Sequence, residues 1–304
     1  MHDTVAPRKA ITPSRRPALA FIALLAGNIA LAFGPWLVRL ADTGPVAAGF
    51  WRIALAAPLL LLVARLSGGK AAFRGARGFG WLLGGAGVLF AADLAAWHIG
   101  IHHTKLANAT LFGNCASLVF PLYGFVAARA WPTRQQGVAL LLALAGALLL
   151  LGRSAQLSPE GLIGDLACLL AGLFYAGYFI AMARVRAVMA PLPSLALSSL
   201  AGALPLLLAA LALGERIMPA DWTPLILLAL FSQVIGQGLM IFALGEFSPL
   251  VIGLALLTQP IAAATIGWTV YGERLGIADV VGGVMVALAL VLVRRAPADD
   301  KEAP

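Results

Sequence analysis

Two charged residues lie inside long apolar stretches of the sequence, where charge is costly. Arg52 and Asp93 each stand within a run long enough to cross a membrane, and a charged side chain at the bilayer centre costs about 2.5–3.5 kcal/mol on insertion scales. Their depths from the predicted outer ends differ by only roughly 3 Å, because a helix rises about 1.5 Å per residue. We therefore expect the two to lie close together. Two roles stay open: a structural ion pair, or a substrate-carboxylate anchor (Arg52) beside a titratable coupling group (Asp93).

A second set of polar and aromatic residues lies in the other apolar runs. Lipid cannot satisfy amide groups, so these side chains are expected to face the protein interior. Each one alone is explained by hydrogen bonding between helices, but as a set they predict a shared polar and aromatic cavity. Together with the two charges, the predicted substrate-binding residues are Asn28, Arg52, Asp93, Trp97, Asn108, Tyr175, Gln237 and Gln259.

Metal binding and nucleotide-driven chemistry find little support in the sequence. His98 and His102 are four residues apart, a spacing that suits metal ligands on a helix, but no HExxH motif and no second ligand cluster accompanies them. Cys115 and Cys168 lie in different apolar runs, with neither metal-type nor disulfide spacing. No phosphate-binding motif of the Walker type occurs. We therefore predict no catalytic residue, no metal and no cofactor.

The composition determines what kind of element holds these residues. Of the 304 residues, 61% are hydrophobic and 11% are charged, and the mean hydropathy is +0.94. Soluble domains contain about 25% charged residues, so a soluble enzyme, a nucleic-acid-binding protein, a coiled coil and a disordered chain are all disfavoured. Runs such as 140–151 show no alternating polar residues, which also disfavours a membrane barrel. An integral membrane protein built from helices remains.

Ten apolar runs approach the length of a membrane-spanning helix, roughly 20 residues. We predict an all-α integral membrane protein with spans near 18–40, 45–66, 79–101, 106–128, 136–152, 162–184, 191–213, 222–245, 249–271 and 277–293. The first run is longer than the apolar core of a signal peptide, about 7–15 residues. Fifteen basic residues lie on the side of the N-terminus and five on the other. This bias predicts cytoplasmic N- and C-termini, here in a bacterial-type inner membrane.

The chain repeats itself at an offset of 143 residues, which aligns Thr104 with Phe247. Both copies continue into an apolar span and later close with basic residues. A repeat of five spans is odd-numbered, so the second copy crosses the membrane in the opposite direction. We predict two inverted-topology five-helix repeats, residues 18–153 and 154–295, between cytoplasmic tails at residues 1–17 and 296–304.

Several residues, taken together, resemble the EamA family of the drug/metabolite transporter superfamily. They are Arg52, Thr104, residues 107–111, Asn114, Gly164-Asp165, Pro260 and residues 272–274. The resemblance implies ten helices in two inverted halves, a central cavity and export of small metabolites, with YddG-like amino acid exporters as one branch. The chain departs from the pattern at Ser117, where proline is expected, and at Arg129-Ala130-Trp131, where Gly-Glu-Arg is expected. A mechanism that needs a glutamate in both halves is therefore not expected.

The residues and the resemblance together predict a secondary-active transporter, not an enzyme. It is expected to export small metabolites such as amino acids, aromatic ones included, by alternating access. The expected partners are the solute, membrane lipid and, in one version of the coupling, protons; no nucleic acid is expected, and the protein is expected to be a monomer or a weak homodimer. Two other classes stay open: an intramembrane enzyme, which needs a nucleophile paired with a base, and a lipid flippase on the same ten-helix bundle.

Overall fold

The computed structural model describes residues 15–103, 109, 112–151, 159–271 and 277–294. Within these ranges the regular structure is entirely helical. The α-helices are α1 (Arg15–Ala32), α2 (Gly34–Leu40), α3 (Pro45–Gly68), α4 (Gly80–His103), α5 (Ala116–Ala128), α6 (Arg134–Leu151), α7 (Pro159–Arg186), α8 (Pro191–Ala212), α9 (Thr223–Leu227), α10 (Gly238–Leu244), α11 (Pro249–Leu256), α12 (Thr258–Tyr271) and α13 (Ile277–Arg294). Two 3₁₀ turns, Gly69–Phe73 and Ala76–Phe79, join α3 to α4, and a π-helical segment, Leu228–Gln237, joins α9 to α10.

In the described part of the chain, six helical stretches are long and apolar enough to cross a membrane. They are Ala18–Leu40, Pro45–Gly68, Gly80–His103, Leu162–Arg186, Pro191–Ala212 and Thr223–Leu244. The apolar stretches Ala116–Ala128 and Val280–Ala289 are shorter. The prediction of a multi-pass helical membrane protein is confirmed at this level. Each of the ten predicted spans overlaps a described helix, while the count of ten crossings and the inverted repeat stay predictions.

Three of the irregular stretches among the described residues lie close to the site. The first separates α1 from α2, where Gly34 and Pro35 end the helical run, as expected because proline cannot continue the hydrogen-bond ladder. The second separates α11 from α12 at Leu257. The third is the π-helical segment, which is unusual because π turns mostly occur as single bulges, frequently at functional sites. All three belong to elements that surround the cavity described below.

Small residues let the central helices approach closely. α4 packs against α7 and α8. A Cβ atom on Gly87 of α4 would lie 2.5 Å from the carbonyl oxygen of Ser198, and one on Gly202 of α8 would lie 2.7 Å from the carbonyl oxygen of Gly87. Lipid supplies no hydrophobic drive between helices, so this backbone packing is a main source of cohesion. It fixes the position of α4, which carries Asp93 and Trp97.

The most extensive helix contacts join elements from the two predicted repeats. α3 packs on α8, α5 on α11, and α6 on α13. The contact of α4 with α7 has a counterpart in the contacts of the π-helical segment and α10 with α1. A pseudo-two-fold axis between inverted repeats would generate this pattern. The pattern agrees with the predicted repeat without establishing it.

Polar contacts at one end of the bundle tie the start of α3 to the loop after α8. The Glu215 carboxylate accepts hydrogen bonds from the backbone N–H groups of Val46 at 3.2 Å and Ala47 at 2.8 Å. These groups lie in the first turn of α3, where N–H groups lack partners within the helix and a negative charge is stabilising. Trp51 Nε1 also donates to the carbonyl oxygen of Ile217, at 2.7 Å. The contacts hold α3 against the second half of the chain.

Candidate functional site

A cavity of about 50 Å³ lies among helices from both halves of the chain. Five of the predicted residues line it: Arg52, Asp93, Trp97, Tyr175 and Gln259. Its wall is completed by Leu31, Phe90, Leu94, Gly113 and Asn114. One water molecule needs roughly 10–15 Å³ of such space, so in this conformation the cavity has room for a few waters but not for a metabolite.

Arg52 is held by an amide, not by a carboxylate. Its Nε donates to Gln233 Oε1 at 3.0 Å, and Gln233 Nε2 donates in turn to Ser199 Oγ at 3.0 Å. The Cζ atom lies 5.7 Å from the centre of the Phe90 ring, within the range of a cation–π contact. A guanidinium has five N–H donors, and the described residues accept from Nε alone. Its two Nη groups therefore remain available to a ligand.

Asp93 shares the cavity with Arg52 but does not pair with it. Both residues line the cavity, yet in the described ranges the ion pair within 4.0 Å is Arg216–Asp42, at 3.6 Å. Arg52 and Asp93 are therefore close, as expected, because they line the same cavity, but they do not form a direct ion pair.

Two of the predicted residues stand behind the cavity instead of lining it. Asn28 and Gln237 are both fully buried. Gln237 Oε1 accepts from the Tyr175 hydroxyl at 3.0 Å, and Asn28 Oδ1 accepts from Gln259 Nε2 at 2.9 Å. Asn28 Nδ2 is committed to the carbonyl oxygen of Leu24, at 2.8 Å. These amides hold cavity residues in place, as Gln233 holds Arg52.

The π-helical segment concentrates this support. Gln233 and Gln237 are four residues apart on it, and both are fully buried. Through its side chains the segment bonds to α3, α7 and α8. It also meets α1 closely, because a Cβ atom on Gly27 would lie 3.0 Å from the carbonyl oxygen of Gly236. Gln233 was not among the predicted site residues; its spacing from Gln237 around a glycine was the signal that could have identified it.

An aromatic group forms one side of the site. Tyr175 packs on Phe179 with ring centres 4.2 Å apart, and Phe90 stacks on Tyr178 at 4.7 Å. Trp97 lies opposite the chain at Gly113, where a Cβ atom would come within 2.9 Å of the indole Nε1. Glycine at this position lets the backbone reach the indole. The lining therefore offers flat apolar surfaces beside two opposite charges.

Some buried polar atoms near the site lack hydrogen-bond partners within the described ranges. They include Ser232 Oγ and His98 Nε2, whereas the Tyr178 hydroxyl lies beside Gln237 and Ser198. Buried polar groups are normally bonded to protein or to ordered water. His98 Nδ1 is engaged, since it donates to the carbonyl oxygen of Pro45 at 2.8 Å.

The remaining site predictions have the following outcomes. Asn108 lies outside the described residues. No group of three or more His, Cys, Asp or Glu side chains in the described ranges is placed to hold a metal ion. Substrate binding by the five lining residues and by the two supporting amides stays a prediction.

The fold and the cavity together define a class: a multi-pass helical membrane protein with a polar cavity between its halves, a form common among secondary transporters. Residues 162–295 match the EamA-like transporter family. The matched region is slightly less than half of the chain, and it supports a place in the drug/metabolite transporter superfamily.

Solved structures agree with this fold. Matches extend to 29 chains. One of them, described only as "Crystal structure of protein", has a TM-score of 0.71 and 17% sequence identity, and the match covers 93% of this chain and 97% of the other. At that identity the likeness establishes the fold alone. No curated protein matches.

Proposed function

We propose that the protein is a secondary-active transporter of the drug/metabolite type that exports small metabolites such as amino acids by alternating access. The observation that carries the proposal is that Arg52 and Asp93 face one cavity without pairing with each other. The match to the EamA-like transporter family supports the transporter class. The proposal includes ten spans in two inverted repeats, 18–153 and 154–295, with both termini in the cytoplasm of a bacterial-type inner membrane.

The two charges fit a zwitterion. The Nη donors of Arg52 match the geometry of a carboxylate, and the carboxylate of Asp93 complements an ammonium group. Opposite charges at membrane depth are costly unless water or a ligand compensates them. An α-amino acid would compensate both at once, with its carboxylate on Arg52 and its amine on Asp93.

The aromatic lining suits an apolar or aromatic side chain on that zwitterion. Phe90, Trp97 and Tyr175 all line the cavity. Aromatic rings supply large apolar contact areas and prefer offset or edge-on packing with other rings. The walls of the site therefore favour aromatic amino acids within the proposed class.

The small volume of the cavity requires a conformational change in each transport cycle. At about 50 Å³ the cavity has room for only a few waters, so it accommodates a metabolite only when helices move apart. The breaks beside Gly34 and at Leu257 lie in helices that line the cavity and are the natural places for that movement. Asp93 is the lining residue able to carry a proton if proton movement accompanies the solute.

Three ligands that differ in one charge each test the proposal: phenylalanine, phenethylamine, which lacks the carboxylate, and 3-phenylpropionate, which lacks the amine. Binding is measured on purified protein, and transport is measured in proteoliposomes with and without a pH gradient. Arg52→Gln should weaken binding of the two acids at least tenfold, because a hydrogen bond to a charged group contributes about 1.5–3 kcal/mol. Binding of phenethylamine should change far less. Asp93→Asn should weaken binding of the two amines and spare 3-phenylpropionate.

The matched control is Arg184→Gln. Arg184 is exposed, and its guanidinium Nη2 donates to the Tyr123 hydroxyl at 3.2 Å, away from the cavity. It should leave the binding of all three ligands unaltered. Equal losses for all three ligands in both cavity variants would show that the two charges serve folding only, and thermal unfolding of the same preparations identifies that outcome.

A further inference from the structure

A second, larger cavity lies beside the polar one. It is an open groove of about 550 Å³ between α1 and α12. α1 contributes Leu25 and Ile29, which share one face of the helix, and Phe33 follows four residues later, directly after the helix ends. α12 contributes Thr258, Ile261, Ala262, Thr265, Ile266, Thr269 and Val270. None of these residues is charged, and the groove is open at the outer surface of the bundle, where Ile29 and Val270 are exposed.

The threonine hydroxyls of the groove are bonded to backbone carbonyls, so the groove is more apolar than its residue types suggest. Thr258 Oγ1 donates to the carbonyl oxygen of Ala255 at 2.7 Å, and Thr265 Oγ1 donates to that of Ile261 at 3.0 Å. Thr269 Oγ1 donates in the same way to the carbonyl oxygen of Thr265, at 3.0 Å. Each hydroxyl is therefore satisfied within its own part of the chain. The groove presents methyl groups and hydrocarbon side chains.

The groove and the polar cavity lie on opposite sides of the line along which α1 meets α12, which we call the seam. Leu31 of α1 lines the cavity, while Ile29 and Phe33, two residues to either side, line the groove. Successive helical residues are rotated by about 100°, so α1 itself forms the partition. On α12 the partition falls between neighbours, because Thr258 lines the groove and Gln259 lines the cavity.

A single side-chain hydrogen bond crosses this seam in the described residues, from Gln259 Nε2 to Asn28 Oδ1 at 2.9 Å. Both helices are interrupted close to it: α1 ends one residue before Phe33, and α12 begins one residue after Leu257. Helix interruptions are where a backbone absorbs changes of direction. The seam therefore combines one side-chain hydrogen bond with two helix interruptions.

We propose that this seam is a lateral portal, and that the transporter takes amphipathic substrates whose charged head reaches Arg52 and Asp93 while an apolar tail lies in the groove. The inference rests on the proposed function, and it names a substrate class for the same site. Its physical basis is adjacency: two charges lie on one side of the seam, and a groove of hydrocarbon lies on the other. The polar cavity, at about 50 Å³, cannot enclose a long tail, whereas the groove lets the tail remain among hydrocarbon.

Two amino acids with one head group and different tails test this portal: 2-aminobutanoic acid and 2-aminodecanoic acid. Their transport rates are measured in proteoliposomes, and the readout is the ratio of the long-tail rate to the short-tail rate. Ala262→Phe places a ring in the groove and should lower that ratio at least about tenfold, since overpacking of a filled site costs roughly 1–3 kcal/mol. The matched control is Ala287→Phe, on the exposed face of α13, which should leave the ratio unaltered.

Photolabelling of the unaltered protein provides a second measurement that does not depend on any variant folding. A diazirine at the end of the decanoic tail should label the groove segments 25–33 and 261–270. Labels confined to the cavity residues, or scattered over the lipid-facing surface, overturn the portal, as does an equal fall in the ratio for both phenylalanine variants. If neither amino acid binds, the proposed function itself is wrong. If the short one binds and the long tail labels other regions, only the portal is wrong.

Discussion

Two seams beside the cavity differ sharply in how they are closed. Where α7 meets the segment before α5, a Cβ atom on Gly172 would lie 2.8 Å from the carbonyl oxygens of both Phe112 and Gly113. Where α1 meets α12, a groove of about 550 Å³ remains, and one amide hydrogen bond, between Asn28 and Gln259, crosses the seam. The first seam is closed by backbone against backbone, and the second by two side chains.

The difference indicates which side of the cavity is able to open in this conformation. Between helices in lipid, cohesion comes from close packing and hydrogen bonds, because no hydrophobic drive operates there. The seam between α7 and the segment before α5 is closed by backbone packing at Gly172, while a groove of about 550 Å³ lies along the α1–α12 seam. We therefore expect α1 and α12 to separate more easily than α7 and the segment before α5.

The largest effect is expected from Gly172→Ala. The added methyl group meets two backbone carbonyls at under 3.0 Å, and backbone cannot move aside as a flexible side chain can. Overpacking of this kind costs about 1–3 kcal/mol, occasionally more. We expect a clearly lower midpoint of thermal unfolding in detergent.

Gly84→Ala is the matched control, since nothing lies within 4 Å of a Cβ atom built at Gly84 in α4. Alanine is favoured over glycine inside a helix by up to about 1 kcal/mol, so this variant should be as stable as the original protein or more stable. If Gly172→Ala proves equally harmless, the seam between α7 and the segment before α5 is not closed by backbone packing, and the contrast between the two seams fails.

The sequence predicted a multi-pass helical membrane protein correctly, because apolar runs of about 20 residues have few other uses. The break at Gly34-Pro35 has an equally local cause, since proline cannot continue the hydrogen-bond ladder of a helix. The sequence could not show which amide side chains line the cavity and which ones hold the lining residues in place. Asn28 and Gln237 were expected on the cavity wall and instead stand behind it. Sequence spacing gives the face of a helix but not the neighbour that the face meets, and the π-helical segment around Gln237 departs from the periodicity on which such spacing depends.

An intermediate effect on thermal unfolding is expected when the two amide contacts, Gln233 with Arg52 and Gln259 with Asn28, are removed in turn. Gln233→Leu leaves the buried Arg52 Nε without its acceptor and Ser199 without its donor, and an unsatisfied buried group costs about 1–3 kcal/mol, more when it is charged. Gln259→Leu leaves only the Asn28 oxygen unpaired. We expect Gln233→Leu to lower the unfolding midpoint more than Gln259→Leu does.

The same two variants should rank in the opposite order when the opening of the α1–α12 seam is measured by thiol labelling. Gln259→Leu removes the hydrogen bond that Gln259 makes to Asn28 across the α1–α12 seam, so in a Leu31→Cys background it should raise the accessibility of the new thiol to a thiol reagent. Gln233→Leu should leave that accessibility nearly unaltered, because Gln233 joins the π-helical segment to α3 and α8. Equal labelling rates in the two variants would remove the seam hydrogen bond from any role in opening.

The smallest effect is expected inside the groove, from Thr265→Val. The hydroxyl of Thr265 bonds the carbonyl oxygen of Ile261 in its own helix, at 3.0 Å, and that oxygen keeps the ordinary helical N–H bond when the hydroxyl is removed. Valine has the same shape and the same branching at Cβ, so stability should change by no more than about 0.5 kcal/mol, as for most exposed positions. The groove then becomes slightly more apolar, and transport of 2-aminodecanoic acid should be retained or slightly increased. A strong loss of transport with unaltered thermal unfolding would mean that the Thr265 hydroxyl meets a polar ligand group. The groove would then be part of the polar site, and the contrast between a hydrocarbon seam and a charged cavity would have to be abandoned.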